Sequence, residues 1–359
     1  MDTEWSSISA QLHGSFLDRQ IQRTNRNLFL VGLVLIIGVA SYGFAQRRYF
    51  YNFLVGPFEV DGSSLNTVEH PDAQLKYFIK VRGEDSEDSE DSGLQEVERE
   101  TEGGSVRRET VKAKYSLMFV GKRVLIVKSG PNEKGTVFQG ALGALPGNLR
   151  SEIVHPFLKE YPNANEAFLP LMLDATGFRS DGYIALAICI PTVLLAVWLI
   201  RKVVTRRNAP ETHPIVQGAS WYGALADTSQ SLETELRGNI VKFGKTKVTQ
   251  SWVLLPSTFG LAMCHIPNLI WAYKKVTRHY HNFIPTGKSY EVIMYDRHGK
   301  PLQMQASQKK IDAVLSLLVE RAPWAVFGYS DDLNQALKTD WAGFVAAVDA
   351  RRSPATSTV

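Results

Sequence analysis

The side chains best placed to do chemistry lie in WAYKKVTRHYH, residues 271–281. Lys274, Lys275, Arg278, His279 and His281 fall within eight residues, beside Trp271, Tyr273 and Tyr280. Cations interleaved with aromatics suit an anionic surface. A basic segment beside an anionic leaflet gains roughly 1 kcal/mol per cation, and aromatic rings settle at headgroup level. The plain alternative is a solvated strand edge whose lysines prevent pairing with other chains. His279 and His281 also share one face of a strand, which is half of a metal site. His265 is the one candidate for a third ligand, so no metal is expected.

Other reactive residue types are scattered. GEDSEDSEDSG, residues 83–93, repeats Glu-Asp-Ser three times, and residues 84–102 hold ten acidic residues against Arg99. The tract lacks the glycine-centred spacing and terminal Glu of an EF-hand loop. It has almost nothing to bury, so it is expected to be a disordered acidic loop between two strands. Ser129-Gly130 lacks the G-x-S-x-G frame of a nucleophile elbow. His70 and His155 each precede a proline, as loop residues do. Asp174 sits in an apolar run, where a cap or turn is its ordinary role. Cys189 and Cys264 lie too far apart in context to form a metal pair. The residues point to no catalytic set and no cofactor.

Two uncharged segments must position everything else. Residues 28–45 and 183–200 are 18 residues each, near the lower end of the roughly 17–25 that cross a hydrocarbon core as a helix. Pro191 would kink the second, which membrane helices tolerate. Arg19, Arg23, Arg26, Arg201, Lys202, Arg206 and Arg207 flank the outer ends, against Arg47, Arg48 and Arg179 on the inner loop. The positive-inside rule then places both termini in the cytosol and residues 46–181 outside or in a lumen. Gly43-Phe44-Ala45 has the small-x-small form of a cleavage site, but its 27-residue lead is long for a signal peptide. Neither span holds an ionisable residue, which a permeation path usually needs. Gly32, Gly38 and Gly43 offer small residues for helix contact without a strict G-x-x-x-G.

The fold class expected is therefore a membrane protein of α+β type. Residues 1–27 form a cytosolic tail, and 46–181 an outer α+β domain with strands at 76–81, 113–121 and 123–130 and a helix over 149–161. Residues 201–239 form a juxtamembrane linker, with room for a short amphipathic helix near its end. From 240 to 325 the composition turns to β: several strands, a hairpin at YDRHGKPLQM, then a helix over 308–321 with Ser307 as its cap and a stripe of Ile311, Val314, Leu315 and Leu318. A further amphipathic helix is expected over 330–352, with Leu333, Leu337, Trp341, Phe344 and Val345 on one face.

The order of strands, the HIPNLIWAY element, the hairpin and a closing helix resembles the bacterial pleckstrin-homology-like module, on Ile266, Pro267, Ile270, Ala272, Tyr273, Gly299, Lys300 and the 308–321 helix. The whole chain resembles a family of two-span membrane proteins built on a domain of unknown function. The module implies a β-barrel plugged by its helix and binding of lipid headgroups or protein segments, not catalysis. The expected function is a membrane-tethered adaptor or scaffold. Its partners would be membrane lipids and a protein or a second copy of the chain; a net charge of +4 gives no argument for nucleic acid. A membrane-anchored enzyme with its site in the outer domain, or an accessory transporter subunit, are the alternatives. A reporter fused at residue 95 should read as non-cytosolic; a cytosolic signal there would overturn the topology.

Overall fold

The computed structural model describes residues 12–68, 70–83, 90–102, 105–133, 135–281 and 284–352. The chain divides into two compact units, Leu35–Leu195 and Met1–Val34 with Ala196–Val359.

The first helix, α1, runs Phe16–Ala45, well beyond the uncharged stretch that predicts it. α2 (Arg47–Val55) follows within the unit Leu35–Leu195. Asn52, fully buried, ties α2 to the sheet. Its amide donates to the carbonyls of Arg48 and Leu75, and its Oδ1 accepts from the N–H groups of Tyr77 and Phe78. Every polar atom of that side chain is thus satisfied, as burial requires.

The sheet of this unit has the order β1-β2-β6-β7-β5-β4-β3. Its strands are β1 (Phe58–Val60), β2 (Phe78–Arg82), β3 (Glu90–Glu102), β4 (Ser105–Val120), β5 (Arg123–Ser129), β6 (Val137–Ala144) and β7 (Phe168–Asp174). β5 is central and buried on both faces, which explains its unbroken apolar run. Leu125 and Val127 join one core with Val81, Leu142 and Leu171; Val124 and Ile126 join another with Leu149, Ile153 and Val154. The latter come from a helical stretch with π geometry over Arg150–Val154, which runs on as α3 (His155–Glu160). Gly121, at φ +61°, makes the expected turn between β4 and β5. Asp174 is a turn cap, accepting from the N–H and hydroxyl of Thr176.

The acidic tract differs from expectation. Residues 84–89 lie outside those described, but Glu90–Glu102 form β3, antiparallel to β4 at the sheet edge. Failure to enter a core excludes a central strand, not an edge. β4 offers backbone partners, and Glu96 pairs with Lys128 of β5 at 2.5 Å. That hydrogen bond is the leading cause of the raised Lys128 pKa.

α4 runs Phe178–Asn208. α1 and α4 are both long and apolar enough to cross a membrane. Their apolar residues point outward: Ile188 and Leu194 are each 64% exposed. Pro191 stays inside α4 without ending it.

In the other unit, residues 12–27 are not a tail and 214–237 are not a linker. α5 (Pro214–Ser220) and α6 (Leu225–Arg237) pack with the start of α1 in one core that contains Leu12, Phe16, Leu17, Ile215, Leu232, Trp252, Leu254 and Met263. Gly32 of α1 is pressed against α4: a Cβ there would meet Ile200 Cγ1 at 2.9 Å and the Ala196 carbonyl at 3.1 Å. Gly38 and Gly43 have nothing within 4 Å of such a Cβ.

β8 (Val241–Phe243), β9 (Thr246–Val248), β10 (Trp252–Pro256) and β11 (Leu261–His265) form an antiparallel meander. β12 (Leu269–His281), β13 (Ile284–Asp296) and β14 (Pro301–Ala306) form a second, and the short β15 (Val326–Phe327) adds to β12 in parallel. Among the described residues no ladder joins the two sheets, so they do not close into the expected barrel; a 3₁₀ turn at Ile266–Asn268 separates them. The predicted hairpin is present, with Gly299 at φ +81°. α7 (Gln308–Arg321) buries Ile311, Val314 and Leu318 against the strands; Ser307 occupies its N-cap position without a side-chain bond. The last predicted helix is broken at Asp340 into α8 (Asp331–Thr339) and α9 (Trp341–Arg352). Its stripe is core: Leu337, Phe344 and Val348 pack with Ile270, Trp271 and Ile293.

His213, 1% exposed, caps α5 by accepting the Ile215 N–H on Nδ1. Burial first, and the Arg206 charge second, push its pKa down to about 4. The unfolded chain takes up that proton near the ordinary value of 6.5, so stability is full above that pH and declines as pH falls toward 4. Thermal unfolding of the solubilised chain at pH 7 and pH 5 should differ by roughly 1–2 kcal/mol from this group, and His213→Asn should remove that part.

Candidate functional site

β12 and β13 pair along their whole length, from Leu269 opposite Asp296 to His281 opposite Ile284. Their neighbours are shorter: β14 reaches only Tyr290–Tyr295 and β15 only Trp271 and Ala272. Thr277–His281 and Ile284–Ser289 therefore project as a two-stranded arm. Such a ribbon is marginal alone, so its root must hold it. Trp271 does so: it is fully buried, donates Nε1–H to the Gly328 carbonyl at 2.7 Å, and stacks on Tyr295 at 5.4 Å.

The residues singled out by sequence divide between root and arm. Lys274 is at the root, paired with Asp312 of α7 at 2.7 Å and set over the Tyr290 ring. Lys275 lies 3.8 Å from Glu291. Arg278 is exposed on the arm, directly opposite Lys288. His279 Nε2 lies 3.0 Å from the Ser289 hydroxyl. The side chain of His281 is outside the described residues. Strand alternation puts Lys274, Val276, Arg278 and Tyr280 on one face and Lys275, Thr277 and His279 on the other. Val276 and Tyr280, 46% and 60% exposed, keep the first face apolar as well as cationic.

Lys288 escaped sequence reasoning because its place opposite Arg278 depends on register; like charges facing each other across a ladder are unfavourable without an anion nearby. His265 is in the other sheet, its ring 4.5 Å from that of Trp252, and burial lowers its pKa. Among the described residues no group of three His, Cys, Asp or Glu could hold a metal.

Behind the root, the carboxylate of Asp296 is buried. It accepts from the Tyr222 hydroxyl at 2.5 Å and from the His298 N–H at 2.9 Å. Burial pushes the Tyr222 pKa far up, with Cys264 and Asp296 adding to it. The Cys264 thiol is likewise pushed up by burial, leaving it an inert core residue. This cluster locks the end of β13 to the turn after α5 and to β11 rather than performing chemistry.

A second grouping lies at the basic flanks of the two spans. Arg19, Arg23, Arg26, Arg206 and Arg207, counted only as orientation signals, line one cavity. Their places in two distant segments are legible in the sequence; their convergence is not.

Residues 228–337, from α6 into α8, match a family profile described as "Domain of unknown function (DUF6709)". The match takes in both sheets, the arm and α7, and leaves the unit Leu35–Leu195 outside it. No curated protein and no solved structure matches the chain.

Tyr222→Phe strips a buried carboxylate of a donor and should cost about 1–3 kcal/mol of stability. Denaturant unfolding of the solubilised chain measures it.

Proposed function

We propose that the chain is a non-enzymatic two-span membrane protein that serves as a tethered adaptor, holding the β12–β13 arm against an anionic membrane surface. The observation that carries this reading is the arm itself: beyond the last third-strand contact it exposes Arg278 and Lys288 beside Val276 and Tyr280. Cations with interfacial apolar groups are the combination an anionic leaflet attracts.

Three further features support the reading. Residues before the first span and after the second share one core, which two membrane crossings allow and one would forbid; with the basic flanks this favours cytosolic termini. The four-strand meander, three-strand meander and helix follow the order of a pleckstrin-homology-like module, with two open sheets in place of a barrel. Ile266, Ile270, Ala272 and Tyr273, which carried that resemblance, are buried around the arm's root. A protein partner or a second copy would engage the same exposed strands, whose outer edges have no paired strand among the described residues.

Full-length chain in zwitterionic nanodiscs should capture anionic vesicles at low salt. Capture should fall several-fold in Arg278→Ala/Lys288→Ala and in high salt. Capture that is absent, or indifferent to both changes, would contradict the proposal.

A further inference from the structure

The cavity lined by the outer flanks of the two spans is a separate feature, sharing no residue with the arm. It has a volume of about 850 Å³, within the range of ligand sites. All of its walls belong to the unit Met1–Val34 with Ala196–Val359. Arg19, Arg23 and Arg26 of α1, Arg206 and Arg207 of α4 and Lys247 of β9 line it, against the single carboxylate of Asp18. Arg19 is neutralised by Glu233 at 3.3 Å. Lys247 lies over the Phe16 ring at 5.0 Å. Among the described residues, no ion pair engages Arg23, Arg26, Arg206 or Arg207.

Arg206 is the decisive residue. It is only 8% exposed, and among the described residues its buried Nη1 has no hydrogen-bond partner. Basic residues in the last turn of a helix ordinarily answer the carbonyl end of the dipole. That suffices for Arg207, which is exposed, but Arg206 Nη1 reaches no carbonyl. A buried cation left unpaired costs several kcal/mol, so its retention calls for an anion.

Two neighbouring groups repeat the pattern. His213, outside the cavity lining, accepts on Nδ1, so its neutral ring carries the proton on Nε2, and among the described residues that buried donor also lacks a partner. Asn25, 5% exposed and lining the cavity, has an Oδ1 unpartnered among the described residues, an acceptor suited to a hydroxyl. A guanidinium is the group that matches a phosphate's oxygens two at a time.

We propose that this cavity binds a phosphate-bearing anion, with Arg206 as its buried anchor and Arg23, Arg26 and Arg207 completing the charge. The phosphate could arrive on a lipid headgroup or in solution. The cavity also has apolar lining in Leu12, Phe16, Ile21 and Phe29, which favours the lipid.

The test uses full-length chain in two arms. In the first, native mass spectrometry counts lipid retained after release from nanodiscs containing phosphatidic acid. In the second, chain in zwitterionic nanodiscs is titrated with inorganic pyrophosphate and its thermal stability followed. Wild type should retain phosphatidic acid or be stabilised by pyrophosphate, the responding arm identifying the source. Arg206→Gln should weaken that binding about 10–100-fold, the worth of a charged hydrogen-bond set. Its stability without ligand should be unchanged or higher, because an unpaired buried charge has gone. Arg23→Gln, on the exposed face of α1, gives a smaller loss and serves if Arg206→Gln does not fold. Arg201→Gln, outside the cavity, should bind as wild type. Wild type that responds in neither arm, or Arg206→Gln and Arg23→Gln that bind as well as wild type, would overturn the proposal. Vesicle capture by the arm would survive that result.

Discussion

Glu233 closes the start of the first membrane-crossing candidate from more than two hundred residues away. Its Oε2 accepts the N–H of Phe16 at 2.8 Å, and its carboxylate pairs with Arg19. The first N–H groups of a helix have no partner within it, and a carboxylate there also meets the favourable end of the dipole. Around this cap Leu12, Phe16 and Leu17 sink into the core built by α5, α6, β10 and β11. The beginning of α1 is therefore a structural part of the domain that follows α4. Both apolar helices must leave the same domain, and their basic ends must meet.

From that meeting comes the electrostatic character of the unit. Charges that would be dispersed along two unrelated flanks are drawn together around one cavity, and one of them, Arg206, is taken out of water. Gly32 lets α1 approach α4 close to this point, where any side chain would collide with Ile200. The β12–β13 arm adds a second cationic element on a different part of the same unit, anchored by Trp271. The proposed phosphate site near the helix ends and the basic arm would be complementary means of holding a domain at an anionic surface.

Much of the secondary structure was legible in the sequence because it depends on local pattern. The apolar runs gave both long helices, Gly121 and Gly299 gave turns, and the stripe of Ile311, Val314 and Leu318 gave α7. What was not legible depended on distant partners. Residues 12–27 look like a tail until Trp252 and Leu254 are seen to cover them. Glu90–Glu102 look unable to order until β4 supplies a ladder for an edge strand. The open pair of sheets, in place of a barrel, follows from how the strand ends meet at Ile266–Asn268, which composition does not encode. The candidate site is half visible: the sequence singles out Lys274, Lys275, Arg278 and His279, but only register shows that both lysines lie beside carboxylates at the root and that Arg278 faces Lys288.

The segment before the first span and the domain after the second fold as one body. Hydrogen exchange on the reconstituted chain tests it directly, comparing wild type with Leu17→Ala, a fully buried truncation worth about 2–5 kcal/mol. Exchange should be faster across Trp252–Pro256 in the variant, with Arg123–Ser129 of the other unit unchanged. Acceleration confined to α1, with Trp252–Pro256 as protected as in wild type, would contradict it.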